Sequence, residues 1–388
     1  MFWVAAAATA EYLGPCALVV SRDAQTLYVA CADAHQVAWV DLPDGRVARR
    51  VALPAEPTGL VLSPDGTKLI VACAAPRSTV VVLDAVSGNP IAAISAGHTA
   101  MSPAIDPQGK RIYVANRFDN DVSVIDLESG EEVARVEAVR EPIAAALTPD
   151  GRELLVANHL PATRSDGAFD GDVAPIVTLI DTRTYEKHSL ELPHGSNGLR
   201  GLSVSPDGKH ALVTHLLSNF EKTPFRVDMA WINTNVVSII DIPRRKVLST
   251  IGLDEYDMGS GNPYGVTYAA DGESVCVSLA GTHELCVIGR SELLSKYAHQ
   301  TMQPMMGVWP IYVSLAESLW HRVPLPGKGP RGLAAAGSKV YVAQYFSDSV
   351  AVIDLHADLD SQGQLSIRTI ALGPPVELTE RRRGQLLF

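Results

Sequence analysis

No two of the five cysteines, Cys16, Cys31, Cys73, Cys276 and Cys286, share a C-x-x-C spacing, and C-x-x-C-H does not occur. The chain therefore carries no ordinary c-type haem attachment and no zinc knuckle of its own. An odd count also argues against a disulfide-built scaffold. The phosphate loop G-x-x-x-x-G-K-[ST] and the nucleophile elbow G-x-S-x-G are both missing, so two large enzyme classes lose their sequence support. No stretch reaches eighteen apolar residues, which leaves no transmembrane helix to expect. Basic residues are outnumbered, 32 Lys and Arg against 43 Asp and Glu, for a formal net charge of −11. A nucleic-acid backbone needs a cationic surface, so nucleic acid is not an expected partner.

What is present is a repeat. Apolar residues make up 47% of the 388, enough for a large core, and 30 Gly and 25 Pro mark many turns. A short apolar strand followed by Ser-Pro-Asp-Gly or a variant recurs seven times, as in "GLVLSPDGT" from Gly59 and "GLSVSPDGK" from Gly201. The turn aspartates Asp23, Asp65, Asp106, Asp150, Asp207 and Asp271 recur with a base period of about 42 residues, lengthened by insertions in the later units. After each turn come two β-rich stretches, such as "RIYVAN" and "VSVID", then a polar turn and an edge-like strand. Asp41, Asp84, Asp126, Asp181, Asp241 and Asp354 close the second stretch, with Gly289 in their place in the sixth unit. These aspartates read as turn-locking acceptors rather than repeated catalytic acids.

The pattern predicts an all-β chain, a seven-bladed β-propeller of four-stranded antiparallel blades over residues 14–373. Residues 1–13 form a lead and 374–388 a C-terminal linker. The seventh unit supplies its own four strands, so ring closure does not call for an N-terminal strand. Residues 2–10 are apolar and Ala-rich, ending in Ala8-Thr9-Ala10 without a preceding Lys or Arg. They fit either the remnant of an export signal or a first strand.

With the strands named A to D from the axis outward, AB and CD turns share one face of the disc, and BC and DA loops the other. Long insertions at 159–174 (BC, blade 4), 216–234 (BC, blade 5) and 253–263 (the DA connection after blade 5) all extend the second face. Loops on a rigid frame are the usual carriers of binding. Blade 6 has an opposite CD insertion before a D strand at "RVPLP", expected as a helix from a Ser291 cap and a loop packed on the blade edge, with a protein-docking surface as the alternative.

Candidate residues follow from this placement. Cys31, Cys73, Asn116, Asn158, His215, Leu279 and Gln344 end strand B of successive blades and are expected on a rim near the channel mouth. His159, His215, His283 and Glu284 sit in or beside BC loops, where an interface, hydrogen bonding or a metal are the alternatives. Asp166, Asp170 and Asp172 offer oxygen ligands for calcium but lack the EF-hand order and its Glu, so a solvated acidic loop competes. The cysteines are expected as buried thiols, with Cys31–Cys73 and Cys276–Cys286 as the pairs to check. No nucleophile–base–acid set can be assembled, so catalysis by this chain is not expected. A propeller enzyme, or a small-ligand or metal protein working at the channel mouth, is the rival.

The "SPDG…YVAN…VSVID" units resemble the YVTN-type β-propeller family, whose members are mostly exported. "WINTNVVSIIDI", "GNPYGVTYAADG" and "SLAGTHELCVI" further resemble the propeller half of dihaem cytochrome c peroxidase-like proteins. Arg383, Gly384, Leu387 and Phe388 match the stretch that opens the haem domain there. The haem ligands themselves have no counterpart in this chain. The resemblance implies a periplasmic or otherwise extracytoplasmic scaffold. It would dock a haem c-bearing redox domain, fused downstream or carried by a periplasmic cytochrome. His159, His215, Trp231, Asn233, His283 and Glu284 are the candidate interface residues.

Overall fold

Each Ser-Pro-Asp-Gly turn locks itself through its aspartate. Asp65 accepts the Thr67 amide at 3.0 Å while the Ser63 hydroxyl accepts the Lys68 amide at 2.9 Å. Those bonds to Asp65, the Ser63 hydroxyl first, hold its carboxyl down at about 2. Gly66 takes a φ of +76°, which glycine adopts without a side-chain penalty. The aspartates closing strand C act alike, as where Asp126 accepts the amides of Glu128 and Ser129.

The computed structural model describes residues 12–161, 173–218, 233–255, 259–297, 320–358, 365–375 and 377–387. Between the turns stand seven antiparallel sheets in the order A-B-C-D, forming a seven-bladed β-propeller. Blade 2, for example, runs Glu56–Leu62, Lys68–Ala74, Ser78–Asp84 and Pro90–Ala96. In blade 5 strand A is in two pieces, Ser196–Asn197 and Leu202–Val204. Blade 7 completes itself with Ile367–Ala371, as its repeat predicts.

Period-two alternation builds the core. In Lys68–Ala74, Leu69, Val71 and Cys73 pack toward blade 1, while Ile70 and Ala72 pack toward blade 3. A strand buried on both faces is apolar throughout, and each fully buried aliphatic side chain contributes about 1.5–3 kcal/mol. The cluster joining Leu27, Val29 and Ala38 to Tyr341, Val350 and Ile370 closes blade 7 onto blade 1.

The A strands touch in sequence from Pro15–Val20 round to Pro330–Ala336 and back, making the inner ring. Glycine permits that approach. A Cβ on Gly265 would lie 2.5 Å from the Arg331 carbonyl of the next blade, and one on Gly332 2.5 Å from that of Cys16. Strand B clasps the same carbonyls, with the Ser278 hydroxyl donating to Arg331 at 2.7 Å.

Among the described residues, two helices lie outside the sheets. Arg290–Tyr297 starts one residue before the expected Ser291 cap, so that serine lies inside it. The following D strand is Trp320–Pro324, two residues ahead of "RVPLP". Glu380–Leu387 falls in the C-terminal linker, and its Arg382 is buried against the propeller. Residues 2–10 lie outside the described residues.

Candidate functional site

The strand-B termini are not a rim. Cys31, Cys73, Asn116, Asn158, His215, Leu279 and Gln344 are all 0% exposed. The register turns these side chains between blades, where the polar ones tie loops down. Asn116 accepts the Gly97 amide at 3.0 Å and donates to Asp121 at 2.6 Å and Ser123 at 2.8 Å. Asn158 does the same work for Val139, Ile176 and Thr178. His215 donates from Nδ1 to the Leu216 carbonyl and takes the Ser238 hydroxyl on Nε2 at 2.7 Å. Burial drops its pKa to about 4, so it is neutral and structural. His215 is therefore corrected from an interface residue to a core residue.

Glu284 is corrected likewise. It is buried beside Arg322, 3.3 Å away, in a network that shapes the DA connection after blade 5. Arg322 also reaches Glu255 at 3.0 Å, the Leu253 carbonyl at 2.9 Å and the Ser260 hydroxyl at 2.7 Å. Asp254 receives the amides of Asn235 and Ser260.

The other candidates stay nearer the surface. His159 is half-buried and donates from Nδ1 to the Leu199 carbonyl at 2.7 Å. Burial lowers its pKa, with the positive charges of Arg200 and Arg117 adding to the effect. His283, with φ +62°, holds Nδ1 near the Ala280 carbonyl and the Gly329 amide. Burial lowers its pKa too. Asn233 is exposed at the start of its strand and accepts the Ser218 hydroxyl. Trp231 and the acidic trio Asp166, Asp170 and Asp172 lie outside the described residues. All five cysteines are free, and burial raises the thiol pKa of each to about 12 or above. Among the described residues, no three His, Cys, Asp or Glu side chains are grouped to hold a metal ion.

A different constellation occupies the loop-rich mouth of the ring. The Arg200 guanidinium lies 5.1 Å from the Tyr264 ring centre, and Arg331 lies 5.4 Å from that same ring. Arg331 also stacks on Tyr345 at 3.3 Å, and Arg382 approaches Tyr345 at 4.6 Å and Tyr12 at 4.7 Å. Cation and aromatic thus alternate from blade 5, across blades 6 and 7, to the C-terminal helix. Asp33 of blade 1 neutralises Arg382 at 2.7 Å and accepts the Tyr345 hydroxyl at 2.7 Å. Burial, then that hydrogen bond, pushes the Tyr345 phenol up to about 12.

Sequence reasoning by strand-B position missed this ladder. Its signal is the triplet at the start of strand A, Pro263-Tyr264-Gly265 and Pro330-Arg331-Gly332, where the proline opens the strand and the glycine admits the neighbour. Residues 327–332 also spell G-x-G-x-x-G. They lead into a strand and not a helix, so the helix amides of a dinucleotide loop are missing.

No family model matches the chain. Hydrazine synthase subunit beta of Kuenenia stuttgartiensis is 27% identical over 190 residues, 48% of this chain and 49% of that relative. The chain thus matches about half the length of the curated relative. A chain in the solved structure of Kuenenia stuttgartiensis hydrazine synthase superposes with a TM-score of 0.80 at 26% identity, covering 92% of this chain and 100% of that one. The protein is a seven-bladed β-propeller similar in sequence and structure to hydrazine synthase chains.

Proposed function

We propose that this chain is a propeller subunit or domain without catalysis of its own, which docks a haem-containing redox protein outside the cytoplasm. The carrying observation is the likeness over 92% of the chain to a hydrazine synthase chain, together with a curated relative named as a subunit. A protein named as a subunit works in company. The haem and the periplasmic setting come from the family resemblance of the repeat and of the tail. This chain's own residues do not fit a haem c, because C-x-x-C-H is missing from its sequence and its thiols are held protonated by burial. The haem accordingly belongs to the partner. No helix among the described residues is long and apolar enough to cross a membrane.

The docking surface is the BC/DA face over blades 4 to 6, where Asn233, His159 and His283 reach the surface and Trp231 belongs by its position in the blade 5 insertion. The test is gentle isolation from the native source, with haem absorbance followed across size exclusion. Co-elution with a haem-bearing chain, in a periplasmic fraction, is expected. Elution alone and haem-free, with no cytochrome retained on the immobilised protein, would overturn the reading.

A further inference from the structure

We propose that Arg200 and Arg331, which both lie over the Tyr264 ring at the loop-rich mouth of the propeller, bind a small oxyanion of the carboxylate or phosphate type. The proposal does not depend on the docking reading.

Three observations converge. First, the two guanidinium groups share one aromatic ring, at 5.1 Å and 5.4 Å, which keeps two positive charges together. Cation–π contacts return only about 0.5–2 kcal/mol each, and like charges oppose the arrangement. Second, neither group has a carboxylate within 4.0 Å or a hydrogen-bond acceptor among the described residues, although other arginines of this face do. Arg382 has Asp33, Arg117 has Glu141 at 2.7 Å, and Arg322 has Glu284 and Glu255. Third, both are half-buried, and their nitrogens are not among the buried unpaired atoms. Their donors therefore face solvent at the mouth, where a ligand arrives.

An oxyanion completes this arrangement chemically. Each guanidinium offers a planar fork of N–H donors, and charge-assisted bonds are about twice as strong as neutral ones. Tyr264 is the aromatic surface that both guanidinium groups approach. Tyr345 and Phe346 wall the Arg331 side, at 3.3 Å and 5.9 Å. The overall charge of −11 does not draw anions to this protein. Binding must come from the local pair, and a bulky polyanion would meet the acidic surroundings.

The test is isothermal titration of the whole chain with inorganic phosphate and, separately, succinate, in chloride buffer at fixed ionic strength. One saturable site for at least one probe is expected, and which probe binds names the anion class. Arg200→Gln and Arg331→Gln should each weaken it at least tenfold, while Arg200→Lys, which keeps the charge and loses the fork, should weaken it less. Arg331 stacks on Tyr345, so its variant could lose the fold; Arg200→Gln then decides, with thermal melting as the check. Absence of saturable binding for both probes, or parental affinity in folded Arg200→Gln, would overturn the proposal.

Discussion

The Arg382 guanidinium lies 2.7 Å from the Asp33 carboxylate, joining the C-terminal helix to a loop of blade 1 across 349 residues of sequence. The same guanidinium donates to the Tyr345 carbonyl at 3.2 Å and stacks on its ring, so blades 7 and 1 are held together by one side chain. Tyr12 adds a second tie, accepting the Thr379 amide at 2.8 Å. Among the described residues the ring has no strand shared between its ends, and this clasp reinforces the apolar seam. Arg382→Ala should therefore destabilise the fold by about 2 kcal/mol, less than a fully buried pair because Asp33 keeps some solvent. Urea melts check it. In combination with Asp33→Asn the two costs should be less than additive; full additivity would mean that the residues act separately.

Strand-A packing gives a sharper contrast. Gly265→Ala would press a methyl to 2.5 Å from the Arg331 carbonyl, and backbone cannot yield cheaply there. The expected loss is about 1–3 kcal/mol, the cost of overpacking. Gly384, inside the C-terminal helix, has nothing within 4 Å of its would-be Cβ. Gly384→Ala should be neutral or stabilise its helix by up to about 1 kcal/mol. Denaturant midpoints for both variants test the reading, and equal effects would sink it.

The repeat was legible because its signals are local. Asp65, Gly66 and the alternating residues of Lys68–Ala74 declare turn and strand within one short stretch, and blade 7 visibly completes itself. The site was not legible in the same way. Position along strand B was known, but not that the register points Asn116 and His215 between blades. Arg200, Tyr264, Arg331, Tyr345 and Arg382 share no motif and span most of the second half of the chain. Only the ring order of the A strands brings them together. Glu284 looked available because its neighbour Arg322 lies 38 residues on, beyond an insertion.

His215 should make the fold acid-sensitive. Its folded pKa is depressed to about 4 by burial, against an unfolded value near 6.5. The unfolded chain binds the proton first, so stability is full above about pH 6.5 and falls as pH drops toward 4. That shift corresponds to roughly 3 kcal/mol at the acid end. Asn116 and Asn158 fill the equivalent positions of blades 3 and 4, which makes His215→Asn the natural variant. Urea melts at pH 7.5 and 4.5 should show a smaller acid loss in the variant. An unchanged acid loss would place the proton elsewhere.

A partner on the loop face would separate two kinds of residue. Asn233 is exposed, whereas Glu284 is 8% exposed and committed to Arg322. Asn233→Arg puts a bulky charge at the surface and should weaken binding of the co-isolated partner about tenfold, with a melting temperature close to the parent's. Glu284→Gln removes one of the two carboxylates of Arg322, which keeps Glu255, and should cost about 1–3 kcal/mol in stability. Its folded fraction should still bind. Surface plasmon resonance beside thermal melting distinguishes the two patterns. If Asn233→Arg binds normally while Arg382→Ala does not, the partner sits over the seam of blades 7 and 1, and the contact surface moves from the insertions to the C-terminal helix.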